Sequence, residues 1–184
     1  MVPRTYESLV DEFITTYRTL IHRDGAEELL EYLCNSSNFF LDPASTKYHL
    51  CKRGGLIEHS LVVFHRLKWL CAIDPLGSRS PDEESIAIVS LLHDLCKADT
   101  YIEQSDGTYK KHDKFPFGHG EKSVYLISKY MKLTDAEAIA IRYHMGSWNE
   151  WEKSDAGTVF QHFPLAFFLH VADEYATFVD EVEE

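Results

Sequence analysis

No apolar run in this chain approaches the ~18 residues needed to cross a bilayer, and its amino terminus, MVPRTYESLVDEF, lacks the charged-then-apolar pattern of an export signal. A soluble, cytoplasmic protein without membrane partners is the expectation. The four cysteines, Cys34, Cys51, Cys71 and Cys96, form no Cys-x-x-Cys pair, which removes zinc ribbons and thioredoxin-like chemistry and points to free thiols. Basic charge is scarce: 18 Lys and Arg face 30 Asp and Glu, for a formal charge of -12. Such a surface repels polyanions and excludes non-specific duplex nucleic-acid binding, so a phosphate ligand needs a local exception. Repeats, low-complexity tracts and Gly/Ser linkers are also missing, and one domain over 1–184 is expected.

What is present is a core. Hydrophobic residues make up 45% of the 184 and charged ones 26%, enough apolar surface to offset chain entropy. Apolar residues at helical spacing predict two helices between Tyr6 and about Leu33, broken near Asp24-Gly25, and a third from Leu56 to about Ala72. Ser80-Pro81-Asp82-Glu83 has the form of a capping box with proline at the first helical position, predicting a helix from 81 to about 97. Periodicity vanishes between Asp99 and Phe117, where Asp106-Gly107 suggests a small hairpin. Helices from Gly120 to about Met131, from the capping box Thr134–Glu137 to about Met145, and from Pro164 to about Val179 complete an all-α fold of six to eight helices. The amino-terminal helices, 5–33, are expected to pack on a core at 54–179, and the acidic last twelve residues read as a solvated tail.

Polar residues stand where this core should be apolar. His59 shares a helical face with Leu56, Val63, Leu67 and Leu70; His93-Asp94 faces inward beside Ile86, Val89 and Leu91; Asp173 edges the stripe Leu165, Phe168, Leu169, Ala172. His119 and His144, at the ends of their helices, also face inward. Each histidine alone reads more readily as a hydrogen-bonded core residue. Four histidines and two aspartates from five helices instead call for a shared counter-charge, which a metal centre supplies, since a buried unpaired carboxylate costs several kcal/mol, roughly.

The order His59, His93-Asp94, Asp173, carried in GGLIEHSL, LLHDLCK and FLHVADEYA, resembles the HD superfamily of metal-dependent phosphohydrolases over about Gly54 to Thr177. The resemblance implies that these four residues bind one metal. FGHGEKSVYLI and IAIRYHMG match the segments that carry a second metal in some members, nominating His119 and His144, although Met145 stands where such members often have another histidine. The Gly-Tyr-Pro motif of the cyclic-di-GMP-hydrolysing subclass is absent. HDLCK has lysine where nucleotidases of the superfamily tend to carry an acid, and is closer to phosphodiesterase-like members.

The implied chemistry is hydrolysis of a nucleotide or short oligonucleotide phosphoester, with one or two divalent ions activating a hydroxide and neutralising phosphoryl charge. Asp94 is the candidate bridging and catalytic carboxylate. Imidazole and carboxylate ligands suit Mn, Fe, Mg, Co, Ni or Zn without distinguishing among them. Lys97 is a catalytic and substrate-binding candidate, one turn beyond His93, and Lys122 a second substrate-binding candidate. Residues 97–132 hold seven lysines against five acids, net +2 in a chain whose remainder totals -14. Singly, Lys122 reads as a solubilising charge, Cys96 as a small buried hydrophobe, His65 as an exposed helical histidine, and Trp148 and Trp151 as loop packing rather than base stacking. The competing expectation is a non-catalytic HD-fold module that binds metal and nucleotide for regulation.

Overall fold

The computed structural model describes residues 4–47, 50–73, 80–113, 115–146 and 150–182, the side chains of 150–154 excepted. It is all-α with one small hairpin. The helices are α1 (Tyr6–Leu20), α2 (Ala26–Asn35), α3 (Gly55–Ile73), α4 (Glu83–Leu92), α5 (His119–Ile127), α6 (Asp135–Tyr143), α7 (Glu150–His162) and α8 (Pro164–Tyr175). Strands β1 (Tyr101–Glu103) and β2 (Tyr109–Lys111) pair antiparallel across the expected Asp106-Gly107 turn. Among the described residues, no helix is long and apolar enough to cross a membrane.

Helix α4 is apolar on every side, Ile86 through Leu92 being buried, because α1, α3 and α6 surround it. α3 packs along α4 and α8, and α6 packs along α5 and α8, so the ends of α4 and α6 converge on the middle of the molecule. The starts of both helices are tied to the α1–α2 connection. Arg23 donates to both oxygens of buried Glu137, at 2.6 and 3.0 Å, and to Glu84 at 3.2 Å. Glu137 also accepts from Ser85 Oγ and from the Thr134 N–H, which closes the expected capping box. Beside this network Gly25 lies at φ +85°, and a Cβ there would meet the Tyr130 carbonyl oxygen at 1.8 Å. Only glycine fits that break.

Several boundaries differ from the sequence reading. α4 is capped by Asp82, which accepts from the Ser85 N–H at 2.6 Å, so Ser80 and Pro81 precede the helix. It ends at Leu92 rather than near 97. Asp94 leaves helical geometry (φ -103°, ψ 20°), residues Leu95–Lys97 tighten into a 3-10 turn, and the Cys96 N–H donates to Ser123 Oγ on α5 rather than back along α4. α5 and α6 also stop short of Met131 and Met145. α7 was not expected; it packs along α8, and its apolar residues make no continuous stripe in the sequence. The described part of the acidic tail is exposed at Phe178, Val179 and Val182 but not throughout: α8 continues into a π-helical turn (Ala176–Asp180), Asp180 pairs with Arg66, and Glu181 is buried.

Candidate metal centre

His59, in the second turn of α3, reaches the Asp173 carboxylate of α8, with Nε2 to Oδ1 at 3.1 Å. The break after α4 turns Asp94 back beside His93, so that Asp94 Oδ2 lies 3.7 Å from His59 Nε2 and 3.6 Å from His93 Nε2. The two imidazole nitrogens are 3.3 Å apart, and His93 Nε2 is 3.8 Å from Asp173 Oδ1. All four side chains are buried. Most of these separations are longer than hydrogen bonds, and without a cation the two imidazole nitrogens can share at most one proton. They suit ligands sharing one ion, because metal–nitrogen and metal–oxygen bonds near 2.1 Å leave neighbouring donors about 3–4 Å apart.

The other nitrogen of each ring is anchored outward. His93 Nδ1 donates to the Ser90 carbonyl at 2.8 Å, His144 Nδ1 to the Ile141 carbonyl at 2.7 Å, and His59 Nδ1 meets Glu181 Oε1 at 2.8 Å. Such partners fix the tautomer and aim the Nε2 lone pair inward, as the outer partners of metal-bound histidines do. His144 Nε2, fully buried, makes no hydrogen bond among the described residues and points toward Asp94 Oδ1 at 3.5 Å. That buried, unbonded nitrogen fits a missing cation better than a packed core.

Asp94 divides its oxygens. Oδ2 faces His59, His93 and Lys97, whereas Oδ1 faces His144 and the Cys96 thiol, 3.8 Å away. His119, at the start of α5, sits with Nδ1 3.3 Å from Cys96 Sγ. A Cβ at Gly120 would meet the Arg142 carbonyl oxygen at 2.4 Å, so glycine there is what allows α5 to lie this close to α6. Three overlapping donor groups result: His59–His93–Asp94, His93–His144–Asp173 and Asp94–Cys96–His119. His144 thus groups with the first four residues, and His119 with Asp94 and Cys96, which differs from an even pairing of the two histidines on one second ion. Burial and the nearby Asp94 push the Cys96 thiol up to about 12, so without a cation it is protonated.

Charge in the cluster is tightly compensated. Burial alone would raise the Asp94 carboxyl; the Lys97 ammonium, 2.5 Å from Oδ2, and the His93 and His144 rings hold it well below the usual range. Asp173 is likewise held low against burial, mainly by His59. Burial pushes His93 down to about 4, hence neutral. Burial also opposes a charge on His59, but Asp173 and Glu181 outweigh it and raise that ring to about 10. A divalent ion binding at His59 Nε2 would therefore displace a proton.

The remaining candidates fall elsewhere. Lys122 is not the solvated charge it reads as in sequence: its buried ammonium donates to Thr100 Oγ1 at 2.8 Å and Asp113 Oδ2 at 3.1 Å, pinning the hairpin segment to α5. His65 is exposed and bonds Glu12. Trp148 lies outside the described residues, as does the Trp151 side chain. Glu181 was missed. At α-helical spacing the residue returning to the Asp173 face would be Asp180; the π turn brings Glu181 round instead, and no composition signal marks such a turn.

A dihydroneopterin 2',3'-cyclic phosphate phosphodiesterase of Methanocaldococcus jannaschii is 27% identical over 141 residues, 76% of this chain and 53% of that protein. The chain therefore spans about half the length of that curated relative. No solved structure matches at a significant level. The HD domain family matches residues 56–177, a span that opens on the first turn of α3, closes just beyond α8 and encloses His59, His93, Asp94, His119, His144 and Asp173. The chain belongs to the HD domain family.

Proposed function

We propose that this protein is a metal-dependent phosphohydrolase acting on a nucleotide-like phosphoester, with His59, His93, Asp94, Asp173 and His144 holding one divalent ion and His119 facing a second position across Asp94. The carrying observation is the buried set of inward nitrogens and carboxylate oxygens at 3.1 to 3.8 Å, with the two oxygens of Asp94 directed into different donor groups. Bound divalent ions would supply nucleophile activation and neutralise phosphoryl charge. Lys97 orients Asp94 through its ion pair and is placed to attract the incoming phosphate as a point charge. The similarity to a cyclic-phosphate phosphodiesterase supports diesters over 5'-monophosphates.

The test is a panel of 2',3'-cyclic nucleotides, 5'-monophosphates, dinucleotides and bis(4-nitrophenyl) phosphate assayed with Mn, Mg, Co and Ni. Turnover of at least one diester, lost on chelation and restored by metal, is the expected result. Metal-loaded protein that hydrolyses none of them would replace the enzyme reading with that of a regulatory module.

A further inference from the structure

A cavity of about 280 Å3 opens between the α2–α3 connection and the hairpin, lined by Asn38, Asp42, Arg53, Tyr101, Glu103 and Tyr109 among others. This is just below the usual size of small-molecule pockets, about 300 Å3 and upward, and suits a fragment such as one heterocycle. The strand register explains the lining. Tyr101 opposes Lys111 and Glu103 opposes Tyr109, so Tyr101, Glu103 and Tyr109 share one hairpin face while Ile102 and Lys110 take the other.

Two polar side chains in this wall keep hydrogen-bonding capacity unused among the described residues. Asp42 is only 5% exposed; its Oδ2 accepts from the Asp99 N–H at 2.8 Å, but Oδ1 accepts no hydrogen bond among the described residues. The Arg53 guanidinium lies over the Tyr6 ring and makes no hydrogen bond or ion pair among the described residues. Asp42 thus lines the cavity with an acceptor to spare, and the exposed Arg53 with donors to spare. Burial, opposed in part by the Asp99 N–H, pushes the Asp42 carboxyl up to about 7, a further sign that its ionised form is short of donors.

The cavity's lining is joined to the donor cluster along the chain. Asp99, whose N–H holds Asp42, follows Lys97 by two residues, and Tyr101 in the cavity wall follows Lys97 by four. We propose that this cavity binds the lactam edge of a planar heterocycle, an N–H beside a carbonyl as in guanine and the pterins, and so holds the base of the phosphoester whose phosphate lies at Asp94. Asp42 Oδ1 accepts the ring N–H, Arg53 donates to the carbonyl, and the Tyr101 and Tyr109 rings supply the flat apolar walls. The inference rests on the phosphohydrolase reading for the position of the phosphate.

The experiment compares guanosine 2',3'-cyclic phosphate, cytidine 2',3'-cyclic phosphate and bis(4-nitrophenyl) phosphate at pH 8 with the Mn-loaded protein. Wild type should favour the guanosine ester over the cytidine ester by about tenfold or more in kcat/KM. Asp42→Asn keeps the Asp99 hydrogen bond through its amide oxygen but turns a donor toward the cavity. It should erase that preference while leaving bis(4-nitrophenyl) phosphate turnover and metal content unchanged. Tyr109→Ala, on the hairpin rim, should weaken both nucleotides and spare the base-free ester. No guanosine preference in wild type, or equal losses on all three substrates in Asp42→Asn, overturns the proposal. Should metal-loaded wild type hydrolyse none of them, the phosphohydrolase reading fails separately. Calorimetry with guanosine 2',3'-cyclic phosphate then decides the cavity: binding that Asp42→Asn abolishes upholds it, and no binding to wild type sinks it.

Discussion

Asp94→Asn should lower metal-supported phosphoester hydrolysis by at least about a thousandfold, equivalent to about 4 kcal/mol of transition-state stabilisation. The magnitude follows from position: among the described residues Asp94 joins the His59–His93 group to the Cys96–His119 group, and it is also the partner of Lys97. Removing its charge weakens the hold on both positions and leaves a buried ammonium without its nearest anion. The fold should survive, because Asp173 remains nearby and Lys97 can shed its proton. A double variant, Asp94→Asn with Lys97→Met, should recover stability without recovering activity. His119→Ala, which touches only the Oδ1 side through Cys96, should cost less than Asp94→Asn. Wild-type turnover in Asp94→Asn would remove the carboxylate from the chemistry.

Glu137→Gln should be the most damaging change outside the cluster, lowering stability by about 3 kcal/mol and the melting temperature by roughly 6–12 °C. Its carboxylate is buried, accepts two hydrogen bonds from Arg23 and one each from Ser85 and Thr134, and caps the helix that leads to His144. Burial would raise this carboxyl, but the Arg23, Thr134 and Ser85 hydrogen bonds overcome it and hold it below the usual glutamate range. Because the folded-state value is depressed, the stabilisation is complete above the unfolded-state value and fades as pH falls below it. Melting curves of wild type and Glu137→Gln should therefore stay separated from pH 6 to 8 and converge below about pH 4. A constant separation down to pH 3 would mean the neutral amide fails for packing reasons rather than charge. Replacing the pair together, Arg23→Met with Glu137→Leu, should restore part of the loss, since neither ion is then stranded.

Much of this architecture is readable in the chain because it depends on local periodicity. The inward faces of α3, α4 and α8 put His59, His93, Asp94 and Asp173 in the interior, and the Thr134–Glu137 capping box marks the start of α6. Features set by tertiary partners are not readable. α4 ends early because the Cys96 N–H finds Ser123 on another helix, and this break, not helical spacing, sets Asp94 beside His93 and Cys96 beside His119. Lys122 resembles a surface lysine in sequence, yet Asp113 and Thr100 draw its ammonium inward. Glu181 hides behind a π turn, and Asp42 belongs to a connection without periodicity, its burial decided by Asp99 far along the chain.

The central claim, that the buried histidines and carboxylates are built around a cation, is tested most directly by counting metal. Protein purified without chelators and measured by inductively coupled plasma mass spectrometry should carry at least one divalent transition-metal ion per chain, fewer in Asp94→Asn, and its melting temperature should fall on chelation and recover with Mn or Ni. Metal-free protein whose melting temperature does not move on adding Mn or Ni would contradict the account, since His144 Nε2 and the facing His59 and His93 nitrogens would then need another explanation.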